Sequence, residues 1–304
     1  MNLQNLLVII TKNEYHFDMF VRHTGIFFVL FFSFILTVHV SAAENLSQQA
    51  ENAIDQFMTL RMNLAAYEKP EDALRQIDTY HDMYLSENMI SGFTGEEKLI
   101  LENFEILERY NYLYKMQGNE SKLKTLLQTQ NDKTEKWITS RKDEIINKWL
   151  YCTGADILSC SLSYASVTKI LHDGLAVKTY YEKALEQDPS MSYALTNIAQ
   201  WYYYAPSFGG GSKSKAKKCF ELAVKGARTG AEIYYAKIFL SQYLFEDASK
   251  RSESTALLAD ADSIQPGGHY IQWLRKINKA GYSLYYYNSH KLTSADIDKA
   301  IGMI

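Results

Sequence analysis

From Asn45 to the end of the chain, apolar residues recur at intervals of three and four, and no stretch of alternating strand pattern interrupts them. A chain patterned in this way can bury its apolar side only as helix packed on helix, so the sequence predicts an all-α protein. Ala50, Ile54, Phe57, Leu60 and Leu64 mark a first helix over about 45–67. Pro70 opens a second, because proline suits the first helical turn. Thr94 and Glu97 form a capping box ahead of Leu99, Leu101, Phe104, Leu107 and Tyr110, a third helix. Residues 120–150 are more polar, with a break expected at Asn131-Asp132 before a helix carrying Trp137, Ile145 and Trp149. Beyond Tyr164 the helices shorten and pair, over 164–172, 174–187, 190–204, 213–227, 231–246, 252–263, 268–286 and 294–303, the last capped by Thr293 and Asp296.

Within this array the residue types repeat as well as the spacing. Tyr181, Ala184 and Pro189 place an aromatic, a small residue and a proline where a second helix packs on its neighbour and stops. Ala216, Phe220 and Ala223 repeat the pattern, and Ala199 with Tyr202 supplies the small-then-aromatic pair that lets two helices approach closely. These residues resemble the tetratricopeptide repeat (TPR), which implies a solenoid of antiparallel helix hairpins of about 34 residues each. Asp188-Pro189 and Gln265-Pro266 each close a hairpin, whereas 205–212, containing Phe208, Gly209, Gly210 and Gly211, is a long glycine-rich turn between two helices. A tyrosine-rich helix, Pro206-Ser207-Phe208-Gly209-Gly210-Gly211 and then the helix of Ala216, Phe220 and Ala223 is similar to the TPR-like periplasmic T-components that accompany TRAP-type solute transporters. That resemblance covers roughly 150–286. It implies an accessory protein of solute uptake that docks a periplasmic solute-binding protein and holds an apolar or amphipathic small molecule. The family is often lipidated, whereas no cysteine stands near the cleavage region of this chain.

The N-terminal part reads as an export signal, residues 1–42: Arg22 and His23 precede an apolar run from Ile26 to Val38, and Val40-Ser41-Ala42 offers small residues for cleavage. Lys12, Glu14 and Asp18 ahead of Met19 are unusual for a signal, so Met19 is the alternative start. An uncleaved anchor over Thr24 to Ala43 is the alternative to cleavage, and the only membrane contact expected. The expected location is therefore the periplasm or cell envelope, with a divergent helical region at 43–162 and the clearer repeats with capping helices at 163–304. Cys152, Cys160 and Cys219 would meet an oxidising compartment, where a Cys152–Cys160 bridge is allowed but not required. On one unbroken helix those two would lie about 12 Å apart, beyond bonding reach.

Composition excludes more than it identifies. A net charge of −3 without a basic stripe leaves nucleic acid with nothing to neutralise its phosphates. His81, His172, His269 and His290 lack metal-ligand spacing, so neither metal nor cofactor is expected. Gly209-Gly210-Gly211 before Lys213 and Lys215 fails the spacing of a phosphate loop. Glu96, Glu97, Glu102, Glu105 and Glu108 are expected to be solvated on a polar face, with no acid–base pair among them, and no enzymatic motif is present.

The candidate binding residues come from the repeat register. Counted from Pro189, Tyr193, Thr196, Gln200 and Tyr203 face the concave side; counted from Pro266, Tyr270, Trp273 and Ile277 do. The hairpin between has two settings, placing either Tyr234 or Tyr235 in the same row. Such a wall grips apolar matter while offering hydroxyls, or else its rings simply pack between helices. The expectation is a binding protein with a protein partner and an apolar small-molecule ligand; the alternative is an envelope scaffold that binds protein only.

Overall fold

The computed structural model describes residues 45–141 and 143–302, so the expected export signal lies outside the described residues. Among the described residues there are fourteen α-helices and no strand. They are α1 (Gln48–Leu64), α2 (Pro70–Tyr84), α3 (Glu87–Ile90), α4 (Gly95–Lys115), α5 (Glu120–Ser140), α6 (Lys148–Ser161) and α7 (Val167–Gln187). There follow α8 (Ser192–Tyr204), α9 (Lys213–Gly226), α10 (Gly230–Leu244), α11 (Arg251–Ile264), α12 (His269–Lys279), α13 (Leu284–Ser289) and α14 (Ser294–Ala300).

The starts of these helices are written locally. The side chains of Ser47, Thr94, Asn119, Asn147, Ser166, Ser212, Thr229, Ser283 and Thr293 each accept a hydrogen bond from a backbone N–H of the first turn. Thr94 with Glu97, Thr229 with Glu232 and Thr293 with Asp296 complete capping boxes. Pro70 occupies the first turn of α2.

Sequential helices pack in pairs, α4 on α5, α6 on α7, α8 on α9 and α10 on α11, and each pair stacks on the next to give a solenoid-like array. The small and aromatic residues of the repeat pattern carry that stacking: Tyr181, Ala184, Ala199, Ala216, Phe220 and Ala223 are completely buried. The 205–212 turn closes through Gly211 N–H to Pro206 O (3.0 Å) and Ser212 N–H to Tyr202 O (2.8 Å). Gly210 takes φ +96°, and a Cβ on Gly211 would stand 1.7 Å from Ala205 O, so the glycines here are a steric requirement.

Several boundaries differ from the sequence expectation; the one helix expected to carry Trp137, Ile145 and Trp149 is divided, with Trp137 on α5, Trp149 on α6 and Ile145 in the connection between them. The helix expected to break at Asn131-Asp132 runs on as α5, because its polar residues bond across to neighbours rather than ending it. Gln130 Nε2 donates to Asn103 Oδ1 (2.6 Å), Thr134 Oγ1 donates to the same oxygen (3.0 Å), and Asn103 Nδ2 donates to Thr153 Oγ1 (3.1 Å). This buried layer replaces apolar periodicity with hydrogen bonds between α4, α5 and α6. The expected gap between 172 and 174 is filled by continuous α7, and Gly174 O accepts the Trp201 indole N–H (3.0 Å). The helix expected over 268–286 is divided into α12 and α13 by a turn at Gly281, φ +90°.

The acidic face of α4 is also different. Glu97, Glu105 and Glu108 are buried, not solvated. Glu97 accepts the N–H of both Thr94 (2.8 Å) and Ser47 (2.6 Å), Glu105 holds Arg109 (2.8 Å) and His81 (2.9 Å), and Glu108 holds Arg61 (2.7 Å). Cys152, Cys160 and Cys219 are all free thiols, the first two buried on the unbroken helix α6.

The most consequential contact is long-range. Helix α1 packs not only on α2 and α4 but on α10, far along the array. Tyr235 Oη donates to Arg61 O (2.8 Å), Tyr270 N–H to Ala65 O (3.0 Å) and Gln265 Nε2 to Asn63 Oδ1 (3.3 Å). The first helix therefore lies across the inner side of the C-terminal hairpins, with Ala53 and Phe57 fully buried.

Candidate functional site

Arg61 stands in the last turn of α1, and docking that helix drives its guanidinium among α4, α8 and α10. Nε meets Glu108 Oε1 at 2.7 Å, and Nη1 donates to Tyr193 Oη at 3.2 Å. The guanidinium carbon also lies over the rings of Tyr235 and Tyr193, 5.3 and 5.8 Å from their centroids. Burial works against the charge, but Tyr193, Glu108 and Tyr235 outweigh it and hold the Arg61 pKa well above the ordinary arginine value.

Behind Arg61 lies Asp156 of α6, buried and hydrogen-bonded by the hydroxyls of both Tyr181 and Tyr193. Burial pushes its pKa up to about 6, against the opposing pull of the two hydroxyls and Arg61. The same burial, with Asp156 next to them, raises both phenols well above their ordinary value. Tyr193 thus relays between a buried carboxylate and a buried guanidinium. This cluster ties four helices together at the centre of the molecule and faces only a 10 Å³ void.

In front of Arg61 the walls diverge into a cavity of about 440 Å³, framed by the end of α1, the C-terminal turn of α4, α10, α12 and α13. One side is aromatic: Tyr235 and Phe239 from α10, Tyr270 and Trp273 from α12. Tyr270 and Trp273 lie nearly parallel, 16° between planes at 5.8 Å, and Tyr287 buttresses the indole edge-on at 5.1 Å. The other side is polar, with Arg61, Glu108, Asn111, Tyr112 and Lys115. A volume of this size with mixed lining suits a small molecule.

The residues expected on the concave row divide into three groups. Tyr235, Tyr270 and Trp273 line the 440 Å³ cavity, and Tyr193, Thr196 and Tyr235 line a 20 Å³ recess on the other side of Arg61. Of the two settings left open, Tyr235 is the one facing the cavity, while Tyr234 is fully buried in the packing. Tyr203 lies elsewhere, bonded to Glu246 (2.6 Å) and stacked on Tyr285 (4.3 Å); Gln200 is buried against Asn197 (3.2 Å), and Ile277 is core. Phe208 is 64% exposed on the 205–212 turn and, like Gly209, Gly210 and Gly211, is not part of the cavity wall.

Arg61, Tyr112 and Lys115 escaped the sequence reading. Arg61 and Glu108 are partners 47 positions apart, and no local pattern marks a pair made by docking one helix on another. A hint exists in Glu108 itself, which shares the helix face of Glu105 and Glu97. Among the described residues no group of three His, Cys, Asp or Glu side chains is placed to hold a metal, and no helix is long and apolar enough to cross a membrane. No family model, no curated protein and no solved structure matches the chain.

Proposed function

We propose that the protein is a TPR-like, exported binding protein whose work is noncovalent recognition of a small molecule in the cavity between α1 and the C-terminal hairpins. The observation that carries this reading is the aromatic wall of Tyr235, Tyr270 and Trp273 around about 440 Å³ of space. Rings with few rotors bury large area at small entropic cost, which suits a reversible binding site. The placement of α1 favours a small ligand over a peptide. A peptide laid along the inner side of the hairpins would have to displace α1, whose Ala53, Phe57 and Leu64 belong to the core.

The resemblance of roughly 150–286 to T-components supports a role beside a solute transporter, with a periplasmic solute-binding protein as partner. The exposed Phe208 turn, clear of the cavity, leaves that partner a surface of its own.

Native mass spectrometry of the full-length gene product, purified from the envelope of its own host, tests the reading. A small molecule released on denaturation, and absent from Tyr270→Ala/Trp273→Ala protein, is the expected result. Apo mass for the unaltered protein, together with a partner protein that is retained by the double variant, would replace it with the scaffold reading.

A further inference from the structure

The cavity's own cations constrain what it can hold. Arg61 lies over Tyr235 and Tyr193, and Lys115 Nζ sits 4.3 Å from the centroid of Tyr112. The faces of Tyr235, Tyr193 and Tyr112 are thus already covered by positive groups, which leaves Tyr270 and Trp273 as the rings open to a guest. A cationic guest laid on those two rings would share the cavity with the like charges of Arg61 and Lys115.

The negative groups are unequally available. Glu108 is committed to Arg61 at 2.7 Å. Glu68 lies exposed at the mouth, where water and salt screen it. Lys115 is exposed as a residue, like Glu68, but its ammonium is held 4.3 Å from the centroid of the Tyr112 ring and makes no ion pair and no hydrogen bond among the described residues. Crowding by the surrounding wall depresses its pKa below the ordinary lysine value, with Glu108 opposing.

A third group points the same way. Tyr112 is 6% exposed, lines the cavity beside Lys115, and its hydroxyl has no hydrogen-bond partner among the described residues. The ring is buried while the hydroxyl keeps contact with open space, which on this side is the cavity, so it is available to bond a guest there. Across from it, Tyr270 and Trp273 present nearly parallel rings to the same space.

We infer that the cavity takes a small organic carboxylate with a flat apolar body, its carboxylate held by the Lys115 ammonium and the Tyr112 hydroxyl and its body laid on Tyr270 and Trp273. This rests on the small-molecule reading of the cavity and adds to it the charge and shape of the ligand.

Calorimetric titration of the full chain at pH 7 with indole-3-propionate, its primary amide and tryptamine separates the alternatives. The three probes share a ring and differ in charge. The carboxylate is expected to bind about tenfold more tightly than the amide, as one charge-assisted hydrogen bond provides, and the amine more weakly still. Lys115→Met keeps the apolar stem and should cut the preference for carboxylate over amide to the few-fold that the Tyr112 hydroxyl provides, whereas Lys115→Arg should retain it. Tyr112→Phe should weaken the carboxylate several-fold and the amide little.

Equal binding of acid and amide to the unaltered protein would overturn the head-group assignment while leaving the small-molecule function standing. A preference for acid undiminished by Lys115→Met would overturn it as well. No binding by any of the three would overturn the ligand class, and the native mass of the envelope-purified protein would then show separately whether the cavity is a small-molecule site at all.

Discussion

Replacing Asp156 with asparagine should change how stability depends on pH, by an amount that follows from the burial of that carboxyl. Its pKa is raised from 3.8 to about 6 in the folded protein, burial being the main cause. Below pH 3.8 the group is protonated whether the chain is folded or not, and it makes no demand on stability. Between 3.8 and about 6 the folded state keeps the proton that the unfolded state has lost, so stability falls as pH rises, at about 1.4 kcal/mol per unit. Above about 6 both states are ionised and the loss is complete, at about 3 kcal/mol. That is a sizeable fraction of a typical folding free energy.

Asparagine fills the same space without titrating. Its amide oxygen can accept from Tyr193 and its N–H₂ can donate to the Tyr181 oxygen, so the hydrogen-bonded frame is retained. Urea unfolding followed by tryptophan fluorescence, for both proteins between pH 3.5 and 7.5, isolates the contribution, since every other titrating group is shared. The stability of the native protein relative to the variant should decline across pH 4 to 6 and level off above. A relative stability that is flat or rises with pH would refute the reasoning. It would mean that Arg61 and the two hydroxyls outweigh desolvation and hold Asp156 as a favourable anion.

Two further outcomes test the packing. Arg61→Met leaves Glu108 buried without its partner and should destabilise by about 3–5 kcal/mol, with a substantial part recovered in Arg61→Met/Glu108→Gln; denaturant midpoints of the three proteins decide it. Phe220→Ala should cost about 3–5 kcal/mol because the ring is completely buried, while Met83→Ala, on the exposed side of α2, should stay within about 0.5 kcal/mol in the same measurement.

Much of the candidate site was within reach of the sequence once the repeat register was counted from the prolines. That count put Tyr270 and Trp273 on one wall and left either Tyr234 or Tyr235 beside them; Tyr235, Tyr270 and Trp273 line one cavity. The same count included Tyr203, Gln200 and Ile277, which are consumed in packing, because register gives direction but not what stands opposite.

What the sequence by itself determined is the helical character, the starts of the helices and the small–aromatic contacts between neighbours. Thr94 with Glu97, Pro70, Tyr181 with Ala184 and Phe220 with Ala223 act within a turn or two, or against the adjacent helix, and such chemistry is written in consecutive residues. Only the tertiary structure decided that α1 would cross the inner side of the C-terminal hairpins, that Arg61 would meet Glu108 and Tyr193, and that Asp156 would be enclosed by two tyrosines. Those partners lie far apart along the chain and carry no shared local pattern. Their pairing depends on where whole helices dock, which is set by the summed burial of many apolar side chains rather than by any one of them.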